Sequence, residues 1–156
     1  MKKVSVGTYR TDTLYPKVVK ATAILLKASD EISPVAILLQ MGNLEHQGHD
    51  AWCRGQVPYL ERVFQGSLSK ANRILRIIGF HAHDLNMVPS QHNYRQKGKN
   101  NILRFSKTGD QNIEKAYARH YNWSQSREKK QQLIESTLSE QAVPADPKTA
   151  TYFSGG

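Results

Sequence analysis

From Leu14 onward the apolar positions of this chain recur at helical spacing. Leu14, Val18, Ala21, Leu25 and Ala28 fall on one stripe, with Val19 and Ile24 beside it and Lys17, Lys20 and Lys27 largely opposite. That pattern predicts an amphipathic helix through LYPKVVKATAILLKA, capped by Asp12 or Thr13 and with Pro16 tolerated in its first turn. Ser33-Pro34 pairs an N-cap residue with a proline at the first helical position, so VAILLQM should be a second helix, and Gly42 its stop. LEHQGHDAWCRG predicts a third helix ending at Gly55, and YLERVF after Pro58 a short fourth one ending at Gln65-Gly66. Ser67 or Ser69 then caps a fifth helix. Its Leu68, Ala71, Leu75 and Ile78 form a buried face that Ile74 and Ile77 widen, which makes it the expected central helix.

The pattern changes after Pro89. QHNYRQ, KGKN and NILRFSKT read as strand, turn and strand, with Gly98 at the position that tolerates positive φ. After the turn at Thr108-Gly109-Asp110, Asp110 or Asn112 caps a helix through IEKAYARHYNW. Residues 124–156 are polar apart from QQLIESTL, a candidate last amphipathic segment, and VPADPKTATYFSGG should be flexible. The expected fold is therefore mainly α with one β-hairpin. Residues 1–10 form a lead or short strand, 11–123 a single α-rich domain, and 124–156 a flexible polar tail.

Charge sharpens this picture. The 156 residues carry a net +9, with a pI near 9.7. Residues 67–110 hold eight Lys and Arg against two Asp and Glu, whereas 1–66 hold eight against six and 111–156 six against five. A basic block of this kind is what a phosphate-binding surface needs. Within residues 57–110 the order of elements resembles a winged helix: a short helix, a tight QGS link, a capped helix with a cationic face, then a basic hairpin as wing. The resemblance implies a helical bundle containing a helix-turn-helix plus wing, with the capped helix in a major groove. Asn72 and Arg73 would then reach base edges, while Lys70, Arg76, Arg95, Lys97, Lys99, Arg104 and Lys107 would meet phosphates. The expectation is a nucleic-acid-binding protein, DNA foremost, acting by occupancy and without a cofactor. The rival readings are a protein-interaction module docking an acidic partner and a metal-dependent hydrolase.

For the last of these, two His groups stand out, Glu45-His46-Gln47-Gly48-His49-Asp50 and His81-Ala82-His83-Asp84. Imidazole and carboxylate together suit zinc, iron or manganese, so His46, His49, His81, His83 and Asp84 are the candidate ligands. EHQGH does not match H-E-x-x-H, however, and cationic histidines near a helix C-terminus have a dipole role of their own. Ser67 and Lys70 have the Ser-x-x-Lys spacing without its companion motifs. The single Cys53 excludes an intramolecular disulfide and fits a reducing compartment, so a cytoplasmic location is expected. MKKVSVGTYR lacks an apolar h-region, and no run is long enough to span a bilayer. The Gly155-Gly156 end reads as plain tail, and Trp52, Tyr59, Tyr121 and Trp123 as core or core rim.

Overall fold

A computed structural model describes residues 4–142, with side chains through residue 139. Residues 143–156, with the Gly155-Gly156 end and most of the segment expected to be flexible, lie outside the described residues. Six helices and a small antiparallel sheet make up the described fold. The helices are α1 (Tyr15–Ala28), α2 (Pro34–Met41), α3 (His46–Cys53), α4 (Leu68–Asp84), α5 (Gln111–Tyr117) and α6 (Arg127–Ala142). The strands are β1 (Glu31–Ile32), β2 (Val88–Gln91) and β3 (Arg119–Asn122), in the order β1-β3-β2. No helix among the described residues is long and apolar enough to cross a membrane.

Helix starts follow local chemistry closely. Ser33 Oγ accepts from Ala36 N at 3.1 Å and Ser67 Oγ from Lys70 N at 3.1 Å, each satisfying an amide that the first turn leaves without a partner. Gly42 closes α2 at φ 84°, a conformation glycine adopts without a Cβ clash. Asp110 accepts from the amides of both Asn112 and Ile113. The central helix is α1 rather than α4, since α1 packs against α2, α4 and α6. Its Val18, Ala21, Thr22, Ala23 and Leu26 are all buried, which takes two faces rather than one. The second face is covered by α6, where Ile134 and Thr137 are buried and Lys130 Nζ meets Asp30 Oδ1 at 2.6 Å. Residues 127–142 are thus a docked helix, not flexible tail.

Four further expectations are corrected. YLERVF forms a 3-10 turn over Leu60–Val63 instead of a helix, because its backbone serves a neighbour: Leu60 N donates to Arg104 O and Glu61 N to Phe105 O. The hairpin expected over QHNYRQ, KGKN and NILRFSKT shrinks to a tip with the single bridge Arg95↔Ile102. The two arms bond through Gln96 N to Asn101 O and Leu103 N to Tyr94 O, after which the outgoing arm bonds to residues 60–61 instead, and the helix-turn-helix-plus-wing arrangement is not confirmed. The helix expected through Trp123 stops at Tyr117, and Arg119–Asn122 becomes the middle strand of the sheet, pairing with Val88–Gln91 on one side and Glu31–Ile32 on the other. At the other end, Val4 is buried and Tyr9–Thr11 forms a 3-10 turn, so the described part of this lead, from residue 4, is not a strand.

Trp52 and Tyr117, both fully buried, anchor an aromatic cluster with Phe105 and Tyr94. Around it, the 104–110 segment has no continuous ladder, and carboxylates supply acceptors to it. Glu114 takes Phe105 N at 3.0 Å, Ser106 N at 2.7 Å and Ser106 Oγ at 2.5 Å. Glu61 takes Lys107 N at 2.8 Å and the Tyr117 hydroxyl at 2.8 Å. Burial and the Glu61 carboxylate together push the Tyr117 phenol above its usual range.

Two outcomes are expected from these contacts. Glu114→Gln replaces an acceptor with an amide donor facing fully buried Ser106 and should cost about 2–3 kcal/mol in urea unfolding. His81 is buried with neither ring nitrogen partnered among the described residues, and burial lowers its pKa from 6.5 to about 4. The folded chain resists a proton there that the unfolded chain accepts, so stability is full above pH 6.5 and falls between pH 6.5 and about 4. The loss should be about 3 kcal/mol, and His81→Leu should abolish that part of the pH profile.

Candidate functional site

The cationic face of α4 meets solvent only in part: Arg76 is exposed, while Arg73 is half-buried. The N-terminal segment lies along it, with Tyr9 stacked on Phe80 at 5.2 Å and Arg10 bridged to Asp84 at 2.9 Å. Arg73 donates to both oxygens of Asp12, at 3.0 and 2.6 Å, and holds that carboxyl below its usual range. Arg76 donates through Nε to Val4 O at 2.9 Å. Asn72 is exposed and Lys70 half-buried. Two of the four polar groups expected to face a ligand are therefore engaged with residues 4–13.

The loop between β2 and α5 differs. Arg95, Lys97, Lys99, Arg104 and Lys107 are all exposed, and no carboxylate occurs in the sequence between Asp84 and Asp110. Arg104 is pinned: it lies over the Tyr59 ring at 5.6 Å and donates to Ser106 O at 2.8 Å and to Lys107 O. Arg95 donates through Nη1 to Asn100 O. The side chains of Lys97, Lys99 and Lys107 have no ion-pair partner among the described residues. Gly98, at φ 78°, turns the chain between two of them.

The histidines expected as metal ligands do not assemble. His46 is exposed, and His49 lies 3.5 Å from Cys53 Sγ, with its basicity lowered by burial and by His46. His81 points into the core, His83 is exposed, and Asp84 is held by Arg10. Among the described residues the one grouping with ligand spacing is a different one, Glu31, His92 and His120. Strand pairing explains it. Glu31 opposes Asn122 and Ser90 opposes His120, which puts these four on one face of the sheet, and His92 follows β2 on the same side. Glu31 Oε2 lies 3.1 Å from His120 Nδ1 and 3.6 Å from His92 Nε2, and the two imidazoles stack at 3.8 Å. Tyr94 hydroxyl lies 2.7 Å from His120 Nε2, and Ser90 Oγ lies 3.1 Å from His92 Nε2. Desolvation lowers the His120 pKa despite the Glu31 contact. Sequence spacing had no means of finding this set, since 61 and 28 residues separate its members.

The opposite side of the sheet faces a trough of about 600 Å³, lined by Leu75, Ile78, Met87, Pro89 and Tyr121 and also by Arg76 and Arg119. No protein-family model matches the chain, and no curated protein or solved structure matches it at a significant level.

The Arg73–Asp12 pair makes a clear expectation. Arg73→Ala should lower stability by about 2 kcal/mol, because it strands a mostly buried carboxylate. Asp12→Asn should do similarly, with the double variant less destabilised than the sum, as read by a double-mutant cycle in urea. Lys97→Ala should leave the unfolding midpoint unchanged.

Proposed function

We propose that this chain binds a polyanion, nucleic acid foremost, by occupancy, and that the binding surface is the loop between β2 and α5 rather than the face of α4. The observation that carries the reading is the run from Arg95 to Lys107, five exposed cations with no carboxylate among them. Lysines without ion partners are available to phosphate oxygens, and each contact releases counterions when it forms. The fixed loop underneath favours this use. Ser106, Glu61 and Glu114 hold its returning arm, and Lys97 N donates to Cys53 O at 2.8 Å, so the cations project from an ordered base. Phosphate contacts of this kind position a ligand without reading its sequence. Arg73 and Arg76, as engaged in this fold, contribute to stability, and Asn72 with Lys70 is left as the helix contribution to the surface.

The test is fluorescence anisotropy of labelled duplex and single-stranded oligonucleotides at several salt concentrations. Wild type should bind with a steep dependence of log K on log salt. Lys97→Ala with Lys99→Ala should flatten that slope by about 2 while leaving folding intact. No binding at low salt would remove nucleic acid and leave an acidic protein as the partner the same loop would fit.

A further inference from the structure

We propose that Glu31, His92 and His120 form a binding site for a divalent transition-metal ion of the zinc class, with Tyr94 orienting His120. The proposal is independent of the polyanion reading. Among the described residues, the hydrogen-bond and ion-pair contacts of the Glu31 carboxylate are two imidazoles and no lysine or arginine. In a chain of net +9, a carboxylate turned toward two histidines is a donor set rather than a routine ion pair.

The geometry is close to what such an ion takes. Zinc holds nitrogen and oxygen ligands at about 2.0–2.2 Å, which places tetrahedral neighbours about 3.4 Å apart. The Glu31–His120 and Glu31–His92 separations of 3.1 and 3.6 Å bracket that spacing, and all three donor atoms lie within 4.8 Å of one another. The rings now stack nearly parallel, at 18°, so His92 must rotate to direct its lone pair at the shared point. It is the exposed member, just past the end of β2, and has room to do so. His120 is the fixed member. Metal-bound histidines generally have their second nitrogen held by a neighbouring polar group, which sets tautomer and ring angle. Tyr94 hydroxyl, 2.7 Å from His120 Nε2, is placed to do this. Binding at Nδ1 shifts the imidazole proton to Nε2, where it donates to the Tyr94 oxygen. Two nitrogens and one oxygen favour zinc-class ions over calcium or magnesium, which take oxygen. Three protein ligands leave a fourth position for water or an external group.

The experiment is zinc titration of the full, untagged chain by calorimetry, with cobalt(II) absorption as an independent report of coordination. One ion per chain should bind at neutral pH, with an intense visible cobalt band of low-coordinate type. Glu31→Gln and His92→Gln alter half-exposed side chains, so they should retain the fold and lose affinity by tenfold or more. Tyr94→Phe should weaken binding by about tenfold while keeping the stoichiometry. Binding should also weaken as the pH falls through the histidine range, because protons compete for the ligands. His49→Ala with Cys53→Ser should leave it unchanged. The proposal is overturned if wild type binds zinc no more tightly than His92→Gln, or if the His49/Cys53 variant is the one that loses the ion.

Discussion

The returning arm of the 92–110 loop crosses the edge of the aromatic core without a continuous strand partner, and two glutamates make that crossing stable. A buried amide without an acceptor costs about 1–3 kcal/mol, and Phe105 and Ser106 together present two amides and a hydroxyl. Glu114, on the helix that immediately follows, accepts all three. Glu61 closes the other side from the 3-10 turn, taking Lys107 N and the Tyr117 hydroxyl. Everything near the loop depends on this closure. It seats Phe105 against Trp52 and Tyr117, fixes Arg104 over Tyr59, and starts α5 at a defined place. It also explains why the predicted hairpin does not continue past Leu103: the carbonyl of Arg104 and the amides of Phe105 and Ser106 already have partners elsewhere.

A second consequence runs through α5 to the sheet. With Tyr117 held in the core, the chain leaves the helix at Ala118 and enters β3, the middle strand, which pairs with both β1 and β2. Strands joined this way come from distant parts of the chain. Period-two geometry then puts alternate residues on each side, apolar Ile32 and Tyr121 inward and Glu31, Ser90 and His120 outward. The imidazole–carboxylate set is thus a product of strand register, and a slip by one residue would scatter it.

Much of the helical fold is legible in the sequence because its signals are local. Ser33-Pro34, Gly42, Ser67 and Asp110 act within one turn of themselves, and each marks the boundary it predicts. What is not legible depends on partners. IEKAYARHYNW has helical spacing through His120, but the strand requirement of β1 and β2 overrides it, as tertiary context commonly does. REKKQQLIESTL looks like polar tail because only Ile134, Thr137 and their neighbours meet α1. The paired local histidines, conspicuous in the sequence, separate in space, whereas Glu31, His92 and His120 carry no local mark. Site chemistry here is a long-range property.

The basic block divides by residue type in a way that composition alone conceals. Its arginines mostly have partners within the chain, although Arg76 and Arg104 stay exposed: Arg73 forks onto Asp12, Arg76 donates to Val4 O, and Arg104 donates to carbonyls of its own loop and lies over an aromatic ring. A planar guanidinium can satisfy two acceptors at once and stack, so it serves well as an internal clasp. Its lysines at positions 97, 99 and 107 remain in solvent, where a compact, strongly hydrated ammonium does best. Of the net +6 counted along this stretch, the exposed lysines without an ion-pair partner among the described residues lie in one loop. That division sets the scale of any electrostatic attraction to a polyanion, since a cation already held by a carboxylate or carbonyl releases fewer counterions than one that is free.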